Sequence, residues 1–378
     1  MTETQSDQIT FAPGELLESH PIEEPLIAGG VRCHGGFDAD GNYVSPRTRK
    51  RVPAIAAWQR KHAATFGTGI LDVPLDSWPS HYPNVAQSKF LIDQGIVRPM
   101  ITTLTRVGTV EGFGGNIGRT ALPDLQPYFE EDIRGTAMAH LTLGLYEAHG
   151  RDEAGYEDEG GHRQMWFAAR DIAFDNPSTE NEVARMLEMM GIPASAYGAR
   201  ARRASASSRA RDEAPRQLPA DIEPELEFQI ARMIRLLFIE LSAYRTFAWA
   251  EEVLSDADLV NGDGEAARLV SYIRRDERPH VEYLRTVLSE MRDRTLIGAS
   301  GKRYAGREMI GTMWDRAMEQ SIGQNRRQNR TMQLRAIEAE LEGHAGRDAL
   351  LEEYHALGDV RPGRDGDWVS HHDDQARQ

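Results

Sequence analysis

Cysteine is almost absent from this sequence: Cys33 is the only one in 378 residues. No intrachain disulfide framework can therefore exist, and a reducing compartment is the natural expectation. Basic charge is in deficit, with 44 Lys and Arg against 59 Asp and Glu, a formal net charge of -15 and an isoelectric point near 5.3. Such a balance excludes nucleic acid or an anionic membrane surface as the main partner. Lysine is scarcer still, only Lys50, Lys61, Lys89 and Lys302, a skew of the kind genome composition sets and one to which no function is attached. No run of 18 or more apolar residues occurs, and the opening MTETQSDQITFAPGELL lacks the basic start and apolar stretch of a leader. These absences together predict a cytoplasmic protein with neither a membrane nor a nucleic-acid partner.

What is present is helical periodicity. Residues 1–120 read as a mixed, loop-rich region: DADGN at 38–42 looks like a turn between short extended runs, AIAAWQRKHA near 54–63 is helical, and ITTLTRVGTV is strand-like. From 121 onward the period becomes 3.6. Helices are predicted at about 124–149, 157–174, 179–190, 222–255, 264–293, 305–321 and 326–342. The Arg/Ala/Ser-rich stretch 198–221 has too little apolar content to pack and reads as a mobile loop within a long crossover. Residues 296–360 read as additional C-terminal helices, and 361–378, with His371 and His372, as a polar tail.

The helix at 222–255 contains MIRLLFIELSAYRTFAWA, apolar almost all round, with Glu240 in its middle. Met233, Leu237, Glu240, Tyr244 and Phe247 share one face, so this carboxylate is aimed at the core. An unpaired carboxylate there costs roughly several kcal/mol unless a proton, a cation or a metal neutralises it. On the helix at 264–293, Glu277 and His280 interrupt the apolar stripe Val270, Ile273, Leu284, Val287 and Met291. Three residues apart on a helix, they are neighbours able to hold one ion together. If the two helices form an antiparallel hairpin turning near 259, Glu240 and Glu277 stand at the same height. A second Glu-x-x-His, Glu159 and His162, opens a helix whose inner face continues through Trp166, Ala169 and Ala173. The third, Glu352 and His355, sits on a polar C-terminal segment and reads as surface.

Over about 124–293 the chain resembles the ferritin-like di-iron/di-manganese proteins, in which two helices each give one Glu and two others each give a Glu-x-x-His. DERPH, Asp276 to His280, looks like that family's second ligand helix. EGGH, Glu159 to His162, looks like its first, and Glu240 looks like the lone carboxylate of the third helix. The carboxylate of the first helix has several candidates, Glu130, Glu131, His140 and Glu147, of which Glu147 leaves the most plausible turn before Glu159. The resemblance implies an all-α, ferritin-like four-helix bundle over 121–295. Its ligands would be Glu147, Glu159, His162, Glu240, Glu277 and His280, holding two Fe ions, with Fe/Mn or Mn as alternatives. It further implies reduction of O₂ and oxidation of a small organic substrate, with an electron-donor protein or a second copy of the chain as further partners. It also permits a ferroxidase, a catalase or a non-enzymatic iron-binding protein. The contrasting reading is a metal-free structural bundle in which Arg235 or Arg245 neutralises Glu240.

Two weaker patterns carry little. EGFGGNIG, 111–118, has glycines suggestive of a phosphate loop but not the dinucleotide spacing, and reads as a connection into the bundle. Asp38, Asp40 and Asn42 begin like a calcium loop but lack its later Gly and terminal Glu.

Overall fold

The computed structural model describes residues 8–73, 78–175 and 216–359. The expected helix at 179–190, most of the 198–221 loop and the tail with His371 and His372 lie outside the described residues. The described chain is mainly helical, as its periodicity predicts. An N-terminal antiparallel sheet, in the order β1 (Glu24–Ala28), β2 (Val31–Phe37), β3 (Tyr43–Val44), leads into α1 (Arg51–Phe66), α2 (Val85–Asp93) and α3 (Arg98–Phe113). Then come α4 (Tyr146–Ala154), α5 (His162–Ala173), α6 (Pro224–Leu254), α7 (Glu265–Asp276) and α8 (Arg278–Arg292). The hairpin β4 (Thr295–Ile297) and β5 (Arg303–Ala305) precedes α9 (Gly306–Met318), α10 (Arg326–Glu340) and α11 (Arg347–Ala356). No helix among the described residues is long and apolar enough to cross a membrane.

Pairwise packing runs from α3 to α5, α5 to α7, α7 to α6 and α6 to α8, with α1 laid on α8. The apolar interior falls into two large parts. One gathers Met233, Leu237, Leu145, Leu284 and Val287; the other gathers Leu104, Trp166, Phe247, Val270 and Ile273. Residues 276–280 run from one part into the other.

Four local differences from the sequence reading position the site. First, 101–110 is not extended: it lies inside α3. Its Thr, Val and Ile side chains carry strand preference, but that preference is weak against packing, and Met100, Ile101, Leu104 and Thr105 form a buried helical face. Second, 124–149 is not one helix. Its first part is loop and short turns, and a π-type segment at Leu141–Leu145, with Gly144 at φ 134°, delivers the chain into α4. Third, the helix expected from 157 starts only at His162. A turn linking Tyr156 to Glu159 precedes it, and any side chain at Gly161 would collide with the backbone of Gly155 and Asp152. Fourth, the helix expected over 264–293 is broken at Glu277, which ends α7 and caps α8. Pro279 explains the break, because it falls in the first turn of α8, where a missing N–H leaves no intrahelical bond unmade.

The turn entering the π-type segment hangs on α8: Glu290 accepts from the backbone N–H of Ala137 (3.0 Å) and of Met138 (2.9 Å). Burial raises the Glu290 carboxyl to about 7, against the pull of those two amides and of Arg294. Its folded-state pKa thus lies above the 4.5 of the free side chain, so the folded protein holds the extra proton, and this contribution to stability is lost as pH rises from 4.5 through 7. Relative to Glu290→Gln, the wild type should lose about 3 kcal/mol across that window. Urea melts of the two proteins at the two ends of the window measure it, and parallel pH profiles would refute it.

Candidate metal centre

The site is built from α3, α4, α5, α6 and the α7–α8 break. Helix α4 places His149 and Glu153 one turn apart on its buried face. Glu147 is two residues earlier, roughly 200° round the helix, and is exposed beside Arg151. Glu240 is buried on the predicted face of α6, with Met233, Leu237, Tyr244 and Phe247. Glu111 is the carboxylate that the helical form of α3 brings inward. The glycines after it allow the close approach, since a Cβ at Gly114 would collide with the Glu153 side chain and one at Gly118 would press on the α4 backbone. These contacts give the EGFGGNIG segment a packing role.

Besides a group of His34, His162 and Asp276 on the outer side, two groups of inward-facing donors result, and they share Glu153. One is His149, Glu153, Glu240 and His280; the other is Glu111, Glu153, His162 and Glu277. Each imidazole turns one nitrogen toward the carboxylates. His280 Nδ1 lies 2.7 Å from Glu277 Oε2 and 3.3 Å from Glu153 Oε1. His149 Nε2 lies 3.2 Å from Glu240 Oε1 and 3.5 Å from Glu153 Oε1. His162 Nδ1 lies 2.9 Å from Glu277 Oε1 and 3.5 Å from Glu153 Oε1. Yet His149 Nε2, His162 Nδ1, Glu153 Oε1 and Glu277 Oε1 are all buried without a hydrogen-bond partner. Close distances without hydrogen-bond directions describe donors converging on a shared point.

The outward nitrogens face the surrounding shell. His280 Nε2 is 2.9 Å from Asp152 Oδ2, and His149 Nδ1 is 2.9 Å from the Tyr283 hydroxyl. His162 Nε2 faces Asp276 Oδ2 at 3.5 Å, and Asp276 also accepts from the Tyr43 hydroxyl (2.8 Å) and faces His34 (3.6 Å). Asp152 is gripped by Arg47 Nε (2.7 Å) and Arg51 Nη2 (2.8 Å). Such outer partners fix the ring orientation and tautomer of a ligating histidine. Comparison adds no identity. No family model, curated protein or solved structure matches the chain.

Electrostatics divide the inner and outer acids. Burial first, then the neighbouring Glu111 and Glu277, hold the Glu153 carboxyl well above the usual carboxylate range. Burial and Glu240 do the same to Glu277. Burial opposes charge on His162, but Glu153 and Glu277 outweigh it and raise that imidazole well above its ordinary value. Burial and the stacked His149 ring, 3.8 Å away, push His280 well down. Burial would also raise the outer acids. Arg47 and Arg51 nonetheless hold Asp152 well below its ordinary range, and His162 and His34 bring Asp276 to about 2.

Of the six residues the sequence reading singled out, the structure brings together Glu240, Glu277, His280 and His162 and leaves out Glu147 and Glu159. Glu159 is part-exposed in the turn before α5, 3.4 Å from Arg32. The alternatives to Glu147 are also elsewhere. Glu130 pairs with Arg303, Glu131 accepts from Thr295, and His140 is tied to Phe11 and Thr136 and stacked on Trp58. Arg235 is exposed and Arg245 donates to the Trp78 carbonyl, while Glu240 faces His149. His355 is exposed, as expected. Glu111, His149 and Glu153 were missed. The i, i+4 pair in YEAHGRDEA is the readable signal for two of them, whereas Glu111 directly follows a segment whose Thr and Val side chains carry strand preference.

Proposed function

We propose that this protein is a di-metal oxidoreductase of the ferritin-like kind, holding two iron ions, or iron and manganese, or two manganese ions, among Glu111, His149, Glu153, His162, Glu240, Glu277 and His280. The observation that carries the reading is the paired orientation of three buried imidazoles, one nitrogen toward four carboxylates and the other toward a polar shell. Orphaned donor atoms at the convergence fit a cation better than a hydrogen-bonded core. Charge fits as well: four inner carboxylates balance two divalent ions, while Asp152 answers Arg47 and Arg51 outside them. Mixed carboxylate and imidazole donors suit iron or manganese better than calcium or magnesium.

Bound there, the ions would supply the redox equivalents for reducing O₂ and oxidising a small organic substrate. The chain's own part is to set protonation and access. Burial and the neighbouring carboxylates favour protons on Glu153 and Glu277 that loading would displace, Asp152 holds His280 by Nε2 and leaves Nδ1 turned inward, and burial of the ligands keeps out bulk water. Protein reconstituted with iron should contain about two ions per chain, and its reduced form should consume O₂. Metal content near zero after reconstitution with iron and with manganese would sink the proposal. Two bound ions without O₂ consumption would leave a metal-binding bundle and remove the oxidase chemistry.

A further inference from the structure

A cleft of about 610 Å³ opens on the outer side of this centre, between the N-terminal sheet and the α7–α8 break. Its size suits a small molecule. Its walls carry opposite charges. Arg275 and Arg278 line it from the helical side, and Glu23 and Asp38 from the sheet side. Neither arginine has an ion-pair partner among the described residues, so the two signs stand more than 4.0 Å apart within one cleft. Asp38 remains anionic, because the backbone N–H of Asn42 and of Asp40 bond its carboxylate and lower its pKa. Charges of opposite sign left unpaired across a gap are complementary to a ligand carrying both. Two guanidiniums can grip a carboxylate, and the acidic wall suits an ammonium.

Tyr43 and Pro279 also line the cleft. Tyr43 donates its hydroxyl proton to Asp276 Oδ2 at 2.8 Å, and the same oxygen faces His162 Nε2. Glu277 and His280, fully buried, lie behind this wall. A molecule in the cleft therefore touches the shell behind the histidines and not the inward donor atoms. We infer that the cleft is a binding site for a small zwitterion, an amino-carboxylate, whose occupancy Tyr43 and Asp276 transmit to His162. Transmission rests on the metal reading above; binding does not.

Calorimetric titration of the metal-free protein separates the two. 6-Aminohexanoate should bind saturably and at least about tenfold more tightly than hexanoate or hexylamine. The double variant Arg275→Gln/Arg278→Gln, both positions being solvent-accessible, should reduce it to the level of hexylamine. Equal binding of all three probes, or none, overturns the site. In cobalt-loaded protein the zwitterion should shift the visible absorption of the metal, and Tyr43→Phe, which removes only the hydroxyl that donates to Asp276, should abolish the shift at saturating zwitterion. Binding with no shift in the wild type overturns the transmission, and failure to load cobalt fails the metal reading while leaving the calorimetry to stand.

Discussion

Glu153→Gln should lower the metal content from about two ions per chain to one or fewer, the largest change expected from any single carboxylate. Glu153 Oε1 is within 3.3–3.5 Å of the inward nitrogen of all three histidines, and it alone belongs to both four-residue donor groups. Its loss removes a donor from each ion. Glutamine keeps the shape, and burial, Glu111 and Glu277 already favour the neutral form of the metal-free Glu153 carboxyl. The metal-free variant should therefore melt within about 1 kcal/mol of the wild type, which separates lost coordination from lost folding. Glu147→Gln and Glu159→Gln should retain both ions, since neither side chain reaches the donor groups. Metal analysis of the three variants decides the matter: two ions in Glu153→Gln, or loss of ions in Glu159→Gln, would overturn the assignment. Because burial and mutual repulsion favour protons on the Glu153, Glu277 and His162 cluster that loading must displace, metal affinity should also rise with pH above the ordinary carboxylate range.

Asp152→Asn should destabilise the protein by about 3–5 kcal/mol and weaken metal binding about 10- to 100-fold. Both effects have one origin. The Asp152 side chain is fully buried and answers Arg47 and Arg51, of which Arg51 is itself fully buried, while its Oδ2 holds His280 Nε2. Removing the charge leaves two guanidiniums without their anion and frees the ring of His280. The pKa of Asp152 is depressed in the folded state, so its contribution is present above the unfolded value of 3.8 and is lost as pH falls below it. The variant should accordingly show a smaller loss of stability on acidification than the wild type. Chemical denaturation with chelator present, followed by metal titration, reads both quantities. A variant as stable as the wild type would show that the arginines are satisfied elsewhere.

How much of this was legible depended on how local the determining physics was. Glu240 could be read because a carboxylate inside MIRLLFIELSAYRTFAWA has no polar face to turn to, and the helix that forms there is continuous. Glu277 and His280 could be read because their spacing survives the break: Glu277 caps the helix that His280 enters, so the pair still meets at 2.7 Å. His162 was found through Glu159, although a turn and not a helix joins them, and the glycines that carry the chain past Gly155 expel Glu159 toward Arg32.

Composition and periodicity by themselves determined the helical class, the buried carboxylate of α6 and the Glu277–His280 pair, since each follows from spacing within a few neighbouring residues or turns. Only the tertiary structure decided the rest of the set. Glu111 became a candidate ligand because packing on α5 overrode the strand preference of its Thr- and Val-rich segment. His149 and Glu153 displaced Glu147 because the π-type segment at Leu141–Leu145 sets the rotation of α4 about its axis. Asp152, Asp276, Tyr43, Arg47 and Arg51 joined the site across separations of more than a hundred residues. Such contacts leave no periodic trace, because the partners are chosen by which elements fold against one another and not by spacing along the chain.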